Sequence, residues 1–495
     1  MDIFFKIQSK KTQFILSFIS AVIYQIGFEI IMASGSFTVY FLSYIHYNQD
    51  WVDMNYGNLM HPVVLLFLAI FSPLSGTMEH FFGQRISLLI SSIVIETAFV
   101  LLYFQQNLWY FYSLTLLLGI GSGLSTQILI KNSCYYYPKR KGLISALVAS
   151  IGGLFGSGYS FLGEKVINPN REQIIHPKFQ PYYEKRIAER SKLFFLFAMI
   201  LIPISTSISI FLLYKYNPNS ISTEIDEKIV ENENNIQGPL IPNTIEGENP
   251  NNQNQDKDNP NPKVPDSISK TIKKALKKWR FWRNILLVGL IPFTIWFISS
   301  TSRPYSSLLG VDGKVIGVLA GSMNILGCIT NPIWAFSVDK LGFKPIMITI
   351  SSSTIALSIY FFVFMNNKLF YVIGLFLSCV LRGGFISSLV PHFMQIFGLK
   401  YFLTLGGLGR LFTQVFSFGA ASVSIIISIF YSKQEELVLP YRIVMLCGAS
   451  CSIFGLILSF FENDDKFKFE DEENEDKEKI NNEDKEKGEI KEDEE

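Results

Sequence analysis

The chain has 495 residues, of which 49% are hydrophobic, 15% aromatic and only 17% charged, with 44 Phe and 22 Tyr. That composition is too apolar for an ordinary soluble protein of two or three domains. Buried helices of a soluble protein run to about 10 to 14 apolar residues, whereas a bilayer core of roughly 30 Å needs about 20 in succession, so run length separates the two classes.

Twelve runs of spanning length follow one another, and we number them as spans 1 to 12. The first six are Phe14 to Ile45, Leu59 to Gly76, Ile86 to Phe104, Leu108 to Ile130, Gly142 to Leu162 and Leu193 to Tyr214. The second six are Ile285 to Leu309, Val315 to Ser337, Ile346 to Asn366, Leu369 to Val390, Phe402 to Phe430 and Leu439 to Phe461. The reading is an all-α membrane protein in four parts: a first six-helix bundle over 1–214, a linker over 215–283, a second bundle over 284–461 and an acidic tail over 462–495. The Asn, Glu and Pro content of "ENENNIQGPLIPNTIEGENPNNQNQDKDNPNPKVPD" cannot bury enough apolar surface to fold, so it is expected to be disordered. The linker ends in a basic stretch of helical spacing, "SKTIKKALKKWRFWR", of the kind that lies on an anionic leaflet. The tail is strongly acidic and is also expected to be disordered.

Basic residues collect on one side. Lys6, Lys10 and Lys11 precede span 1, Arg85 follows span 2, "KR" and Lys141 follow span 4, Lys340 and Lys344 follow span 8, and Lys400 follows span 10. The positive-inside rule then places both termini in the cytosol of a plasma or organelle membrane. The loop between spans 5 and 6 runs against the rule with seven Lys and Arg, though its acids and its length lower its weight. Span 1 is far longer than a signal-peptide core and lacks a small-residue cleavage site. The five cysteines, at 134, 328, 379, 447 and 451, lie in or beside the spans and read as small buried apolar residues, with neither disulfide nor zinc spacing. The five histidines are scattered and form no metal cluster.

One short polar segment occurs twice. "GTMEHFFGQR" at 76–85 aligns with "AFSVDKLGFK" at 335–344, each after the second span of a six-span half. Two antiparallel helices joined by so few residues need a turn that glycine adopts without strain, which assigns Gly83 and Gly342 to that turn. Asp339 is suited to meet exposed amides at the start of another helix.

This pair of segments resembles the signature of the major facilitator superfamily, small-x-x-x-Asp-basic-x-Gly-x-basic. The second copy carries Asp339, Lys340, Gly342 and Lys344; the first keeps Gly76, Gly83 and Arg85 but has His80 and Phe81 where the family has Asp and a basic residue. "GIGSG" followed by "YYYPKRKGLISALVASIGGLFGSG", and "NPIWAFSVDKLGFK", resemble the monocarboxylate and oxalate/formate branch. That branch commonly has a substrate-contacting arginine where this chain has Asn331. The resemblance implies a fold of two six-helix pseudo-repeats, with spans 1, 4, 7 and 10 lining a cavity and spans 2, 5, 8 and 11 forming the seam. Small residues at four-residue steps in span 5, namely Ser145, Ala149, Gly153 and Ser157 with Gly152 and Gly156 beside them, allow close backbone approach there. Gly317 and Gly321 do the same in span 8, and Gly406, Gly407 and Gly409 cluster in span 11.

Ionisable residues inside the membrane cost roughly 2.5 to 3.5 kcal/mol and usually face water or a partner. They are Glu29 in span 1, Glu96 in span 3, Arg382 in span 10 and Arg410 in span 11. Glu29, Arg382 and Arg410, with Tyr24, Gln25 and Gln127, make up the expected substrate site; the alternative is that Glu29 and Arg382 only pair with each other. Glu96 is assigned a structural hydrogen bond, and Arg303 is expected to snorkel to the interface. Asp339, Lys340, Gly342, Lys344, Gly76, Gly83, Arg85 and Arg140 are expected to gate, with Asp339 meeting the start of span 5 near Arg140 and Lys141 when the cytosolic side closes.

The functional expectation is a secondary transporter of a small organic anion, monocarboxylate or dicarboxylate, working by alternating access with proton coupling or exchange. It is not an enzyme and uses no cofactor or metal. Its partners are a small-molecule solute, a candidate coupled proton and the lipid bilayer, with no nucleic acid, and it is expected to be a monomer. Two alternatives stand beside this one: transport of neutral or zwitterionic solutes such as amino acids, and a receptor or scaffold of the same fold.

Overall fold

The computed structural model describes residues 10–52, 60–170, 182–214, 268–309, 311, 313–430 and 434–462. The linker over 215–267 and the tail beyond residue 462, for which disorder is expected, lie outside the described residues. Every extended apolar run forms helix, because a backbone inside lipid must satisfy its own polar groups. Nine helices among the described residues are long and apolar enough to cross a membrane. Span 2 is Met60–Phe71 continuing past Ser72 and Pro73 into Leu74–Phe104, while Gly313–Leu341 and Gly407–Phe430 supply spans 8 and 11.

The duplication is built into the backbone. Within Leu74–Phe104, Gly83 breaks the helix with φ 75 and ψ 169; between Gly313–Leu341 and Phe343–Phe364, Gly342 has φ 85 and ψ 170. Side chains are effectively excluded from that region of φ and ψ, so both turns depend on glycine. Spans 4 and 10 open alike as well. Asn107 caps Leu108–Tyr136 by accepting from the Trp109 amide at 2.8 Å, and Asn367 caps Lys368–Ile396 by accepting from the Leu369 amide at 3.0 Å.

Many hydroxyls inside the spans bond locally or clasp a neighbour. In span 9, Ser351, Thr354 and Ser358 each donate to the carbonyl four residues back, at 2.7 to 2.9 Å. Ser20 of span 1 and Ser209 of span 6 donate to each other's carbonyls at 2.8 and 2.9 Å. Spans 6 and 12 turn apolar side chains outward, among them Phe197, Ile200, Ile204, Phe454, Ile457 and Phe460, the inverse of a soluble helix and suited to lipid.

Three details differ from the sequence reading. Span 1 is Lys10–Ala33, a 3₁₀ turn over Ser34–Phe37 and then Thr38–His46, so its excess length is taken up by a break. Span 7 starts at Trp279 instead of Ile285 and runs as Trp279–Leu290 and Phe293–Leu308; Arg280 and Arg283 had marked its start as polar, although long basic side chains snorkel from helix ends. Of the five free cysteines, Cys134, Cys328 and Cys379 are buried, but Cys447 is exposed and Cys451 partly so, because both lie on span 12 at the bundle's outside.

Candidate functional site

The two halves meet along spans 5 and 8 and along spans 2 and 11. Span 5 is Lys141–Ile167, and its small residues form two rows with different neighbours. A Cβ on Gly153 would come within 2.6 Å of Cys328 Sγ in span 8, whereas one on Gly156 would come within 3.1 Å of Glu29 Oε2 in span 1. Gly152 likewise faces Gln25 and Glu29. On the other seam, Gly407 lies against the backbone of Ser72 and Pro73, where a Cβ would meet Pro73 N at 2.6 Å. Gly317 lies in the helix Gly313–Leu341, and Gly321 packs on Phe161.

At the end of the bundle carrying the repeated turns, Asp339 crosses between halves. Its Oδ1 accepts from the Gly142 amide at 3.0 Å and its Oδ2 from the Leu143 amide at 2.8 Å. These are two of the first amides of span 5, which have no partner within their own helix and carry the positive end of its dipole. A carboxylate there makes two charge-assisted bonds, which are stronger than neutral ones. The two hydrogen bonds are to the backbone, and the Lys141 charge lies near the same carboxylate. Arg140 is exposed, and Lys340 stays on its own helix with its ammonium 4.5 Å from the Phe336 ring centre. Lys344 is partly exposed.

The first turn reaches the corresponding place in the other half but arrives without the acid. Gly76 faces Leu403 and Thr404, in a π turn over Phe402–Gly406 that opens span 11. His80 is exposed and sits edge-on to Phe81. The carboxylate of this copy is Glu79, one position earlier, and it stays within its half: Oε2 is 2.7 Å from Lys131 Nζ of span 4, and Oε1 accepts from Gln84 at 2.8 Å. Arg85 donates to the Leu213 carbonyl at 3.0 Å, capping the end of span 6.

In the membrane interior, Tyr24 is buried close to Ser125 and Ser91, and Gln25 donates to Glu29 Oε1 at 2.7 Å. Gln127, buried in span 4, bridges the halves: with its oxygen turned toward span 11 it accepts from both Arg410 terminal nitrogens, at 2.5 and 2.9 Å. Arg382 donates to Asn324 Oδ1 of span 8 at 3.0 Å. Cys328 lies near both Glu29 and Arg382. Glu29 and Arg382 do not form the direct ion pair weighed as the alternative. Among the described residues neither Arg382 nor Arg410 meets a carboxylate.

Asn331, with its amide turned, is held by backbone carbonyls. Its amide donates to the carbonyls of Gly327 at 2.9 Å and Gly383 at 3.2 Å, stitching span 8 to span 10. Glu96 Oε2 is buried without a hydrogen-bond partner, contrary to the structural bond assigned to it. The Arg303 side chain lies outside the described residues. Sequence reasoning missed Asn324, although it lies seven residues before Asn331, two helical turns along one face. It also missed the Glu79–Lys131 pair and a polar corner where Arg283 binds the wholly buried Glu462 at 3.0 Å and Asn284 meets His392 at 3.0 Å. His392 stacks on Phe343, the residue after the turn glycine Gly342, which ties that corner to the second turn.

Residues 18–387 match the family model for the Major Facilitator Superfamily. The chain is 30% identical over 101 residues to an uncharacterized MFS-type transporter, YhjX, of Escherichia coli (strain K12); the aligned segment is 20% of this chain and spans a quarter of that relative's length. A crystal structure of the human organic anion transporter MFSD10 (TETRAN) superposes with a TM-score of 0.54 at 11% identity, over 91% of this chain and 99% of that one, which shows a common fold. With twelve spans in two six-helix halves and a family match over most of its length, this chain is a multi-pass membrane protein of the Major Facilitator Superfamily.

Proposed function

We propose that this protein is a secondary transporter of a small organic anion, a monocarboxylate or dicarboxylate of the kind moved by the monocarboxylate and oxalate/formate branch. The observation that carries this reading is the pair of intramembrane arginines, Arg382 and Arg410, which among the described residues are held by the neutral amides of Asn324 and, with its oxygen turned toward span 11, Gln127. A cation inside a membrane is costly unless countered, and an amide oxygen supplies only part of a countercharge. An anionic solute supplies the rest. The fold shared with an organic anion transporter is compatible with this reading, but the arginines carry it.

The halves over 1–214 and 284–461 rock about the seam, joined by the linker over 215–283, with both termini and the tail over 462–495 in the cytosol. Asp339, capping span 5, latches the cytosolic side shut, so the conformation described above is the cytosol-closed one. Glu29 supplies the coupling. Wedged between Gln25 and the glycines of span 5, its carboxyl gains or loses a proton as the span 5 contact tightens or opens, and the arginines release or take up the anion in step. Exchange of one anion for another uses the same arginines without Glu29.

The test is uptake by proteoliposomes holding the purified protein, from a panel of labelled monocarboxylates, dicarboxylates and neutral amino acids, with and without an inward proton gradient. At least one carboxylate is expected to accumulate, with stimulation by the gradient or by an internal anion. Uptake confined to amino acids would replace this reading with the zwitterion one, in which Glu29 and the arginines divide the charges between them. The absence of any uptake in protein of unchanged thermal stability would favour a receptor.

A further inference from the structure

The helix Ile268–Lys277, "ISKTIKKALK", carries four lysines and no acid, and nothing in the transport reading uses it. It does not continue into span 7. Lys278 is extended, with φ −87 and ψ 126, and breaks the helix from Trp279–Leu290. Two contacts hold this corner: the Lys278 amide donates to the Ala275 carbonyl at 3.1 Å, and the Trp282 indole donates to the Leu276 carbonyl at 2.8 Å. Ala275 is wholly buried against the protein, so the opposite face points away from it. That face bears Lys273, Leu276 and Lys277, which share one side at steps of three and four residues and are all exposed. Trp279, the first residue of a membrane span, is 65% exposed beside them.

We infer that this face, Lys273, Leu276 and Lys277 with Trp279, binds the headgroups of anionic phospholipids in the leaflet where span 7 begins. Position is the first argument. One residue separates the helix from a helix that crosses the membrane, so the lysines stand at headgroup depth. The second is the mixture of side chains. Indole and leucine side chains exposed next to lysines match a surface that is charged above and apolar below, where Trp is favoured. The acidic tail would satisfy the lysines, but it would leave Trp279 and Leu276 in water.

Full-length protein is reconstituted in phosphatidylcholine containing equal fractions of either brominated phosphatidylserine or brominated phosphatidylcholine, and tryptophan quenching is measured. The contribution of Trp279 is the difference between wild type and Trp279→Phe. That contribution should be quenched more by the anionic lipid. The preference should fall roughly fivefold per lysine in Lys273→Gln and Lys277→Gln, as expected for about one unit of surface attraction each. It should also collapse at about 0.5 M salt in the unmutated protein, which keeps the test valid if a variant misfolds. Equal quenching by both lipids would overturn the inference. A preference seen only after deletion of residues 464–495 would overturn it as well, because the acidic tail would then be the occupant.

Discussion

Gly83 in the first half and Gly342 in the second hold the chain in one conformation, φ 75 and ψ 169 against φ 85 and ψ 170. Around this shared turn the chemistry diverges. In the second half Asp339 reaches across the seam and caps span 5; in the first, Glu79 turns inward to Lys131 and His80 is left exposed. The interior divides in the same way, with the acid Glu29 and the acceptor Gln127 in the first half and Arg382 and Arg410 in the second. Backbone symmetry therefore sets where the halves touch, and side-chain asymmetry sets which turn reaches across the seam and which half carries the acid and which the bases.

The largest effect should come from Glu79→Gln. It leaves the Lys131 ammonium, only 10% exposed, without its countercharge, at a cost of about 3 kcal/mol in thermal stability. Because this pair lies within one half, the accessibility of the seam should not change; a variant that opens the seam without losing stability would break the comparison. Next come Gly83→Ala and Gly342→Ala. A Cβ on Gly83 meets nothing within 4 Å, so the cost is torsional, about 1 to 3 kcal/mol, and should be alike in the two copies. Markedly unequal losses of thermal stability would mean that the two turns are not equivalent.

Asp339→Ala removes two bonds to helix amides, a loss of about 1 to 2 kcal/mol comparable to deleting a helix cap. That corresponds to a shift of roughly 5- to 30-fold toward the form open at this end. It can be read as faster alkylation of a Ser145→Cys probe, buried in span 5, in protein whose Cys447 and Cys451 are replaced. Asp339→Asn keeps one acceptor and should show less of the effect. The smallest change is expected from His80→Asp, which gives the first turn the acid it lacks opposite the start of span 11. It should slow alkylation of the same probe by a few-fold, for less than about 1 kcal/mol. Faster alkylation would show that the first turn does not sit where a cap is needed.

Much of the fold was legible in the sequence because hydropathy and glycine report local requirements. Twelve apolar runs, the two turns at Gly83 and Gly342 and the small residues of span 5 each follow from what one segment needs. The start of span 7 was not legible, since Arg280 and Arg283 look like a boundary until Glu462 and the membrane edge are placed beside them. Nor could the sequence tell that Asn331 spends its amide on two carbonyls while Asn324 takes the arginine. The Gln127–Arg410 bridge joins residues 283 positions apart, and no periodicity encodes such a pairing. The π turn over Phe402–Gly406 was not legible either; it lies where span 2 packs on the start of span 11, Gly76 against Thr404 and Pro73 against Gly407.

The most direct test of the central claim, that the second half's arginines hold an anion against neutral acceptors, is carboxylate uptake by Arg382→Gln and Arg410→Gln in proteoliposomes, with thermal stability measured in parallel. The account predicts that each variant folds with unchanged stability and loses uptake by about a hundredfold or more, the loss expected when a charged partner of a bound anion is removed. Wild-type uptake rates in both variants would contradict it.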